Sequence, residues 1–191
     1  MVKLKMFALM FTFFLISCIE KGYNNSYGIY IPKRPNFKLK DKEFIYPPNL
    51  KKNSIYVLEE EYYDNELIFS FKKNIWPDYI SSKNWANGII FLDFGRCLGV
   101  NVPIINQEID LKLSKPEDFN PAKNHKEYFY YDMDKIQIES FVYGEGYGRY
   151  LIFDYKLDES GNFLIQEYKL SKSVYKKYNL PLDFKIKKID W

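Results

Sequence analysis

The sequence predicts an all-β protein, an antiparallel meander of about eight strands closed into a barrel or strongly curved, with a two-sheet sandwich as the alternative. Three observations carry that expectation. Eighteen Tyr, sixteen Phe and three Trp bring the aromatic share of the 191 residues to 19%, and such side chains favour the pleated surface of a sheet. The C-terminal third alternates apolar and polar residues with period two. Its segments are joined by short loops, so neighbouring strands run antiparallel, because parallel pairing needs a long crossover.

In chain order, residues 55–62 alternate weakly, Asp64-Asn65 marks a turn, and 67–71 complete a hairpin. Residues 74–87 read as irregular, with Trp76-Pro77 and Asn87-Gly88 as breakers. Residues 88–94 are apolar enough for a buried strand, and Gly95 turns the chain into 97–102, which Pro103 ends. Ser114-Lys115-Pro116-Glu117 fits a capping box with Pro in the first turn, so a helix of one or two turns is expected before Asn120-Pro121. Residues 126–131 form an aromatic strand, and Asp132-Met133-Asp134 a turn. Ile136, Ile138, Ser140 and Val142 then share one face of a strand, and Gln137, Glu139, Phe141 and Tyr143 the other. After the loop 144–148, Leu151, Phe153, Tyr155 and Leu157 alternate with Tyr150, Ile152, Asp154 and Lys156. A loop at 158–162, a strand at 163–170 and a last strand at 184–189 complete the set. Closure or strong curvature would solve the exposed-edge problem that so many strands create.

The N-terminus is of another kind. Lys3 and Lys5 precede an apolar run, 6–16, that is of signal-peptide length and too short to span a bilayer. The run closes on Leu15-Ile16-Ser17-Cys18, which resembles the lipobox of bacterial lipoproteins. The resemblance implies cleavage before Cys18, diacylglycerol on its sulfur and an acylated amine. It also implies an anchored place in the cell envelope, with the outer membrane as the default because Ile19 is no obvious retention signal. The chain then divides into a signal at 1–17, a lipidated N-terminus and Pro-rich tether at 18–50, and one all-β domain at 51–191. In the tether, Gly22, Asn24, Asn25, Gly28, Pro32, Pro35, Pro47 and Pro48 exclude a long regular element. It reads as a semi-extended spacer of roughly thirty residues, in which Ile29-Tyr30-Ile31 and Phe44-Ile45-Tyr46 could pack locally on the domain.

The lipobox, the Pro-rich tether and the meander together resemble small bacterial lipoproteins with a lipocalin-like barrel. Residues 126–170, with 141–150 at their centre, carry most of the likeness. It implies an architecture, and architecture alone does not fix a ligand.

Composition narrows the remaining classes. Loss of the signal leaves 174 residues, enough for one domain with a real core. It also leaves 26 Lys and Arg against 25 Asp and Glu, a balance that argues against a nucleic-acid binder. With Cys18 lipidated, Cys97 has no partner for an intramolecular disulfide.

Chemistry-bearing residues are few. Gly144-Glu145-Gly146-Tyr147-Gly148 lacks the third glycine of a dinucleotide loop, which Arg149 replaces, and a strand follows rather than a helix, so it reads as a hairpin turn. Tyr143, Glu145, Tyr147 and Arg149 form a candidate ligand rim, since an Arg beside aromatic rings suits an anionic or planar ligand; a solvated rim is the alternative. His125, the sole histidine, reads as a surface residue of a polar loop, and with Cys97 it is too little for zinc. Asp132-Met133-Asp134 begins like a calcium loop, but Ile136 and Gln137 stand where an oxygen ligand and the turning glycine belong. Glu139 and Asp154, on adjacent strands, read as a solvent-facing pair, with acid–base hydrolysis the alternative. Tyr128-Phe129-Tyr130-Tyr131 offers either a stacking platform or core packing.

The expectation is a non-enzymatic lipoprotein with no cofactor and no metal, held at the membrane through lipid on Cys18 and without nucleic acid. Its first reading is a binding module for a small apolar or glycan ligand. A protein-binding role in toxin neutralisation or envelope assembly is the alternative, and a carboxylate-based envelope hydrolase a remote third.

Overall fold

The computed structural model describes residues 22–24, 26, 30–33, 35–77, 84–111, 125–144 and 147–181. Cys18 and its lipobox, the capping box at 114–117, Glu145 and the strand expected at 184–189 lie outside these residues. The described elements are β1 (Gly22–Asn24), β2 (Tyr30–Pro32), a 3-10 turn (Leu39–Asp41), β3 (Ser54–Tyr63), β4 (Glu66–Ser70), β5 (Trp85–Phe91), β6 (Arg96–Ile105), β7 (Glu108–Ile109), β8 (His125–Asp132), β9 (Lys135–Gly144), β10 (Tyr147–Leu157), β11 (Phe163–Tyr168) and β12 (Ser171–Asn179). There is no α-helix among the described residues.

The protein is an all-β barrel. Strands β3, β5, β6, β8, β9, β10, β11 and β12 pair antiparallel in chain order, and β12 returns to β3 to close the ring. Two extra strands flank it: β4 pairs with the far half of β3, and β7 with the end of β6. The tight turns have the backbone such hairpins need. Asp64-Asn65, Phe94-Gly95 and Asn106-Gln107 each place two successive residues at positive φ, between 49° and 67°, which matches the twist of the flanking strands.

Two expectations about strands change. Asn87-Gly88, read as a breaker, lies inside β5, which therefore starts at Trp85, while Phe94 moves into a turn. Glycine is required there because a Cβ on Gly88 would come within 2.8 Å of Ile55 Cδ1 and 3.0 Å of Val102 Cγ2. The strand expected at 163–170 ends at Tyr168, and Lys169 at φ 53° turns the chain into β12, which the sequence reading left out.

Alternation sorts the wall into two faces. At the closed end of the lumen Phe91 and Phe129 meet edge to face, ring centroids 5.0 Å apart, among buried Tyr56, Ile136, Ile138 and Leu164. The wall of β3, β5 and β6 is buried on its other face too, through Ile55, Ile90, Leu98 and Val102. These residues share one hydrophobic cluster with Phe69, Phe71, Ile104 and Leu180. Burial on both faces explains why 88–92 is a continuous apolar run rather than an alternating one.

The spacer expected over 18–50 extends too far. From Asn36 onward the chain is a strap laid along the barrel. Phe37 packs its ring against Tyr128 and Tyr150 at 4.8 and 4.9 Å, and the Asn36 N–H donates to Tyr150 Oη at 2.9 Å. Phe44 then reaches the closed end and meets Phe129 at 5.4 Å. Leu39 and Leu50 are buried, and Asn49 lies so close to Gly161 that a Cβ there would stand 2.1 Å from the Asn49 carbonyl oxygen. The prolines prevent regular structure in this segment, but its aromatic and leucine side chains have a wall to bury against. A chain beginning at Lys51 gives up these contacts. At about 1.5–3 kcal/mol per large side chain, its thermal midpoint is expected to fall by about 10 °C or more against a chain beginning at Lys21. Melting followed by circular dichroism checks this, and an unchanged midpoint would show that the strap adds no stability.

Candidate functional site

The end of the barrel opposite Phe44 is open. A cavity of about 940 Å³ enters it, lined by Asn87 of β5, Gly99 and Asn101 of β6, His125 and Glu127 of β8, Ser140 of β9, Phe153 and Tyr155 of β10, Gln166 of β11 and Tyr175 of β12. Each stands there by strand parity. Glu127 is in phase with Phe129 and Tyr131, Ser140 with Ile136 and Ile138, and Tyr155 with Phe153 and Leu157. The lumen therefore changes character along its axis, from rings and aliphatic groups at the closed end to hydroxyls, amides and a carboxylate near the mouth.

Glu127 is the centre of this polar half. It is 9% exposed, accepts a 2.5 Å hydrogen bond from the Ser140 hydroxyl and receives the Cys97 thiol at 3.9 Å. Burial pushes its carboxyl up to about 7, against the pull of those two donors. The same burial, followed by the nearby Glu127 charge, holds the Cys97 thiol well above its ordinary range. Tyr155 and Tyr175 meet edge to face at 5.9 Å, and burial raises both. His125 is not in a loop but is the first residue of β8, where desolvation lowers its imidazole.

Of the expected rim, Tyr143 is among the residues that line the cavity. Tyr143 pairs with Gly148 and Arg149 with Val142, so Tyr143 and Arg149 lie on opposite faces of the sheet. The Tyr143 ring is stacked on Tyr30 of β2, centroids 4.0 Å apart and planes 7° apart, and stays half-exposed at the edge of the mouth. Tyr147 opens β10 opposite Gly144, and Glu145 lies outside the described residues.

The carboxylate pair is also corrected. Glu139 stands opposite Ile152 and Asp154 opposite Gln137, so the two do not face each other. Asp154 is a surface residue bonded to Gln137 Nε2 at 3.0 Å. Glu139 is fully buried on the outer face of the barrel, where its Oε2 accepts the Leu39 N–H at 2.8 Å and its Oε1 has no partner. It faces the strap rather than water. The 128–131 aromatics divide by parity: Phe129 enters the core, while Tyr128 lies against Phe37 and Tyr130 beneath Lys42 Nζ at 4.1 Å. The turn expected at Asp132-Met133-Asp134 is confined to Met133-Asp134 between β8 and β9, Asp132 being the last residue of β8. Among the described residues no group of three or more His, Cys, Asp or Glu is placed to hold a metal ion, and no helix is long and apolar enough to cross a membrane.

Glu127, Ser140, Tyr155, Gln166 and Tyr175 were not singled out from the sequence. For Glu127 the signal was present, since an acid in phase with Phe129 and Tyr131 points where they point. Scanned against protein-family models, curated proteins and solved structures, the chain finds no match in any of the three. Its class is therefore defined by geometry alone, as an up-and-down antiparallel β-barrel of eight strands, plugged at one end and open at the other.

Two stability measurements follow from these carboxylates. The folded state holds the Glu127 proton more tightly than the unfolded chain, with about 7 against 4.5. Its contribution thus falls as pH rises from about 4.5 to about 7 and is constant beyond, a loss of about 3 kcal/mol. Glu127→Gln should lack that loss and be the more stable form at pH 8. Glu61, also raised by burial, is common to both proteins, so the difference between their urea midpoints across pH isolates Glu127. Glu139→Ala should cost about 1–3 kcal/mol by leaving the Leu39 N–H buried without an acceptor. Asp154→Ala, on the surface, should stay within about 0.5 kcal/mol in the same urea titrations.

Proposed function

We propose that this chain is a lipid-anchored envelope lipoprotein whose barrel holds a small ligand in its open end without transforming it. The observation that carries the reading is the cavity. Its volume of about 940 Å³ and its mixture of rings and convergent polar groups are those of a small-molecule site. Catalysis has little support in the same place. The Cys97 thiol is buried and kept protonated, the Ser140 hydroxyl is given to a carboxylate rather than an imidazole, and Glu139 and Asp154 do not share a cleft.

The anchor rests on the lipobox ending at Cys18. Gly22 follows Cys18 by four residues, a reach of at most about 14 Å. Asn24 and Tyr30, in the ribbon that Gly22 begins, line the mouth of the cavity. An acylated Cys18 would therefore keep the mouth close to the lipid surface, with the outer membrane as the expected location.

Native mass spectrometry of the soluble domain from about Lys21, purified from its own envelope, tests the ligand. An adduct that survives desalting is expected. A clean apo monomer would move the weight to a protein partner. Cys18→Ala should leave the precursor uncut and unlipidated, and normal processing of that variant would overturn the lipoprotein assignment.

A further inference from the structure

The chemistry of the lumen goes further than its volume, on the reading that the cavity is the ligand site. We propose that the ligand is a small organic ammonium ion, held by the Glu127 carboxylate and the aromatic rings beside it. The carboxylate is nine-tenths buried, yet both of its partners, the Ser140 hydroxyl and the Cys97 thiol, are neutral. No Lys or Arg is among the described residues lining the cavity. Of the titratable groups nearby, His125 on β8 is lowered, Tyr155 on β10 and Tyr175 on β12 are raised, and Glu61 on β3 acts on Tyr175 as a further acid; Arg149, in phase with Phe153 and Tyr155 on β10, is exposed and stands outside the lining residues. A buried carboxylate without a counter-ion is costly, and a ligand bearing a cation removes that cost.

Other ligand classes fit less well. An anion would meet Glu127 with no base among the described lining residues to receive it. A wholly apolar ligand would bury the carboxylate and leave its cost unrelieved. A bare metal ion would want several more oxygen ligands than one carboxylate offers, and the space is that of an organic molecule. Phe153, Tyr155 and Tyr175 supply faces that attract an ammonium group. Burial holds a proton on Glu127 below about pH 7, and a bound ammonium would expel it. Affinity should therefore rise by up to about tenfold per pH unit from 5 to 7 and level off above. Protonation of His125 at the acid end acts in the same direction.

The test is isothermal titration of the full chain in non-ionic detergent. The ammonium probes are tryptamine, tyramine, choline and spermidine; tryptophol and indole-3-acetate serve as the neutral and anionic isosteres of tryptamine. At least one ammonium probe should bind, tryptamine about tenfold or more tighter than tryptophol, and indole-3-acetate weakest of all. Glu127→Gln should lose about tenfold or more for the ammonium probe and flatten its pH profile. Equal affinity for tryptamine and tryptophol, or an ammonium affinity independent of pH in the wild type, would overturn the ammonium assignment and leave the ligand cavity standing. Both comparisons hold even if Glu127→Gln fails to fold. Absence of binding by every probe also overturns it. If native spectra are then free of adducts, the cavity reading falls as well; a neutral adduct such as a glycan would preserve it.

Discussion

The pairing of β12 with β3 makes this molecule a barrel rather than a curved sheet. It runs from Ser171 opposite Tyr63 to Asn179 opposite Ser54, with an irregularity at Val174/Tyr175, and such bulges sharpen the local twist that closure demands. Without it, β3 and β12 would each present a row of unpaired amides and carbonyls. The lumen would be an open trough, in which Glu127 would be hydrated and its carboxyl ordinary. Closure thus determines burial, and burial determines the chemistry of the cavity.

The closed wall carries two different loads on its two faces. Inside, the sequence of side chains along each strand grades from Phe129 to Glu127 on β8 and from Ile136 to Ser140 on β9. Outside, the same two strands bind the strap through Tyr128 and Glu139. Tyr30 of β2 stacks on Phe141 and Tyr143 at the mouth, while Phe44 seals the floor against Phe129. One segment therefore touches both ends of the barrel, and the plug and the rim are held by a single stretch of chain.

The period-two pattern made β9 and β10 readable residue by residue, because each strand is amphipathic over its whole length. It misassigned what lay over one of the faces. Gln137, Glu139, Phe141 and Tyr143 read as the less apolar, water-facing side, whereas Glu139 is fully buried under Leu39. The covering residues come from a hundred positions earlier, and no local pattern reports them. β12 was hidden differently, since Lys172, Lys176 and Lys177 mask its alternation although Tyr175 faces the lumen. Asn87-Gly88 carries turn chemistry that a tertiary contact overrides, Gly88 being the one residue that leaves room for Ile55. The cavity lay beyond reach because it is assembled from seven strands of the barrel, each contributing one or two polar groups.

The strap also sets an order of events. The Asn36 and Leu39 amides find their acceptors 114 and 100 residues further along the chain, on strands that must already be paired to present Tyr150 and Glu139 together. Contacts of such long range carry a large loop-closure cost and are expected to form late. The segment that is synthesised ahead of the barrel is the last to be fixed in it. Until β9 and β10 have met, Phe37, Leu39 and Phe44 are exposed apolar side chains on a chain with nowhere to put them, and the same residues that stabilise the finished protein are its exposure to aggregation on the way there.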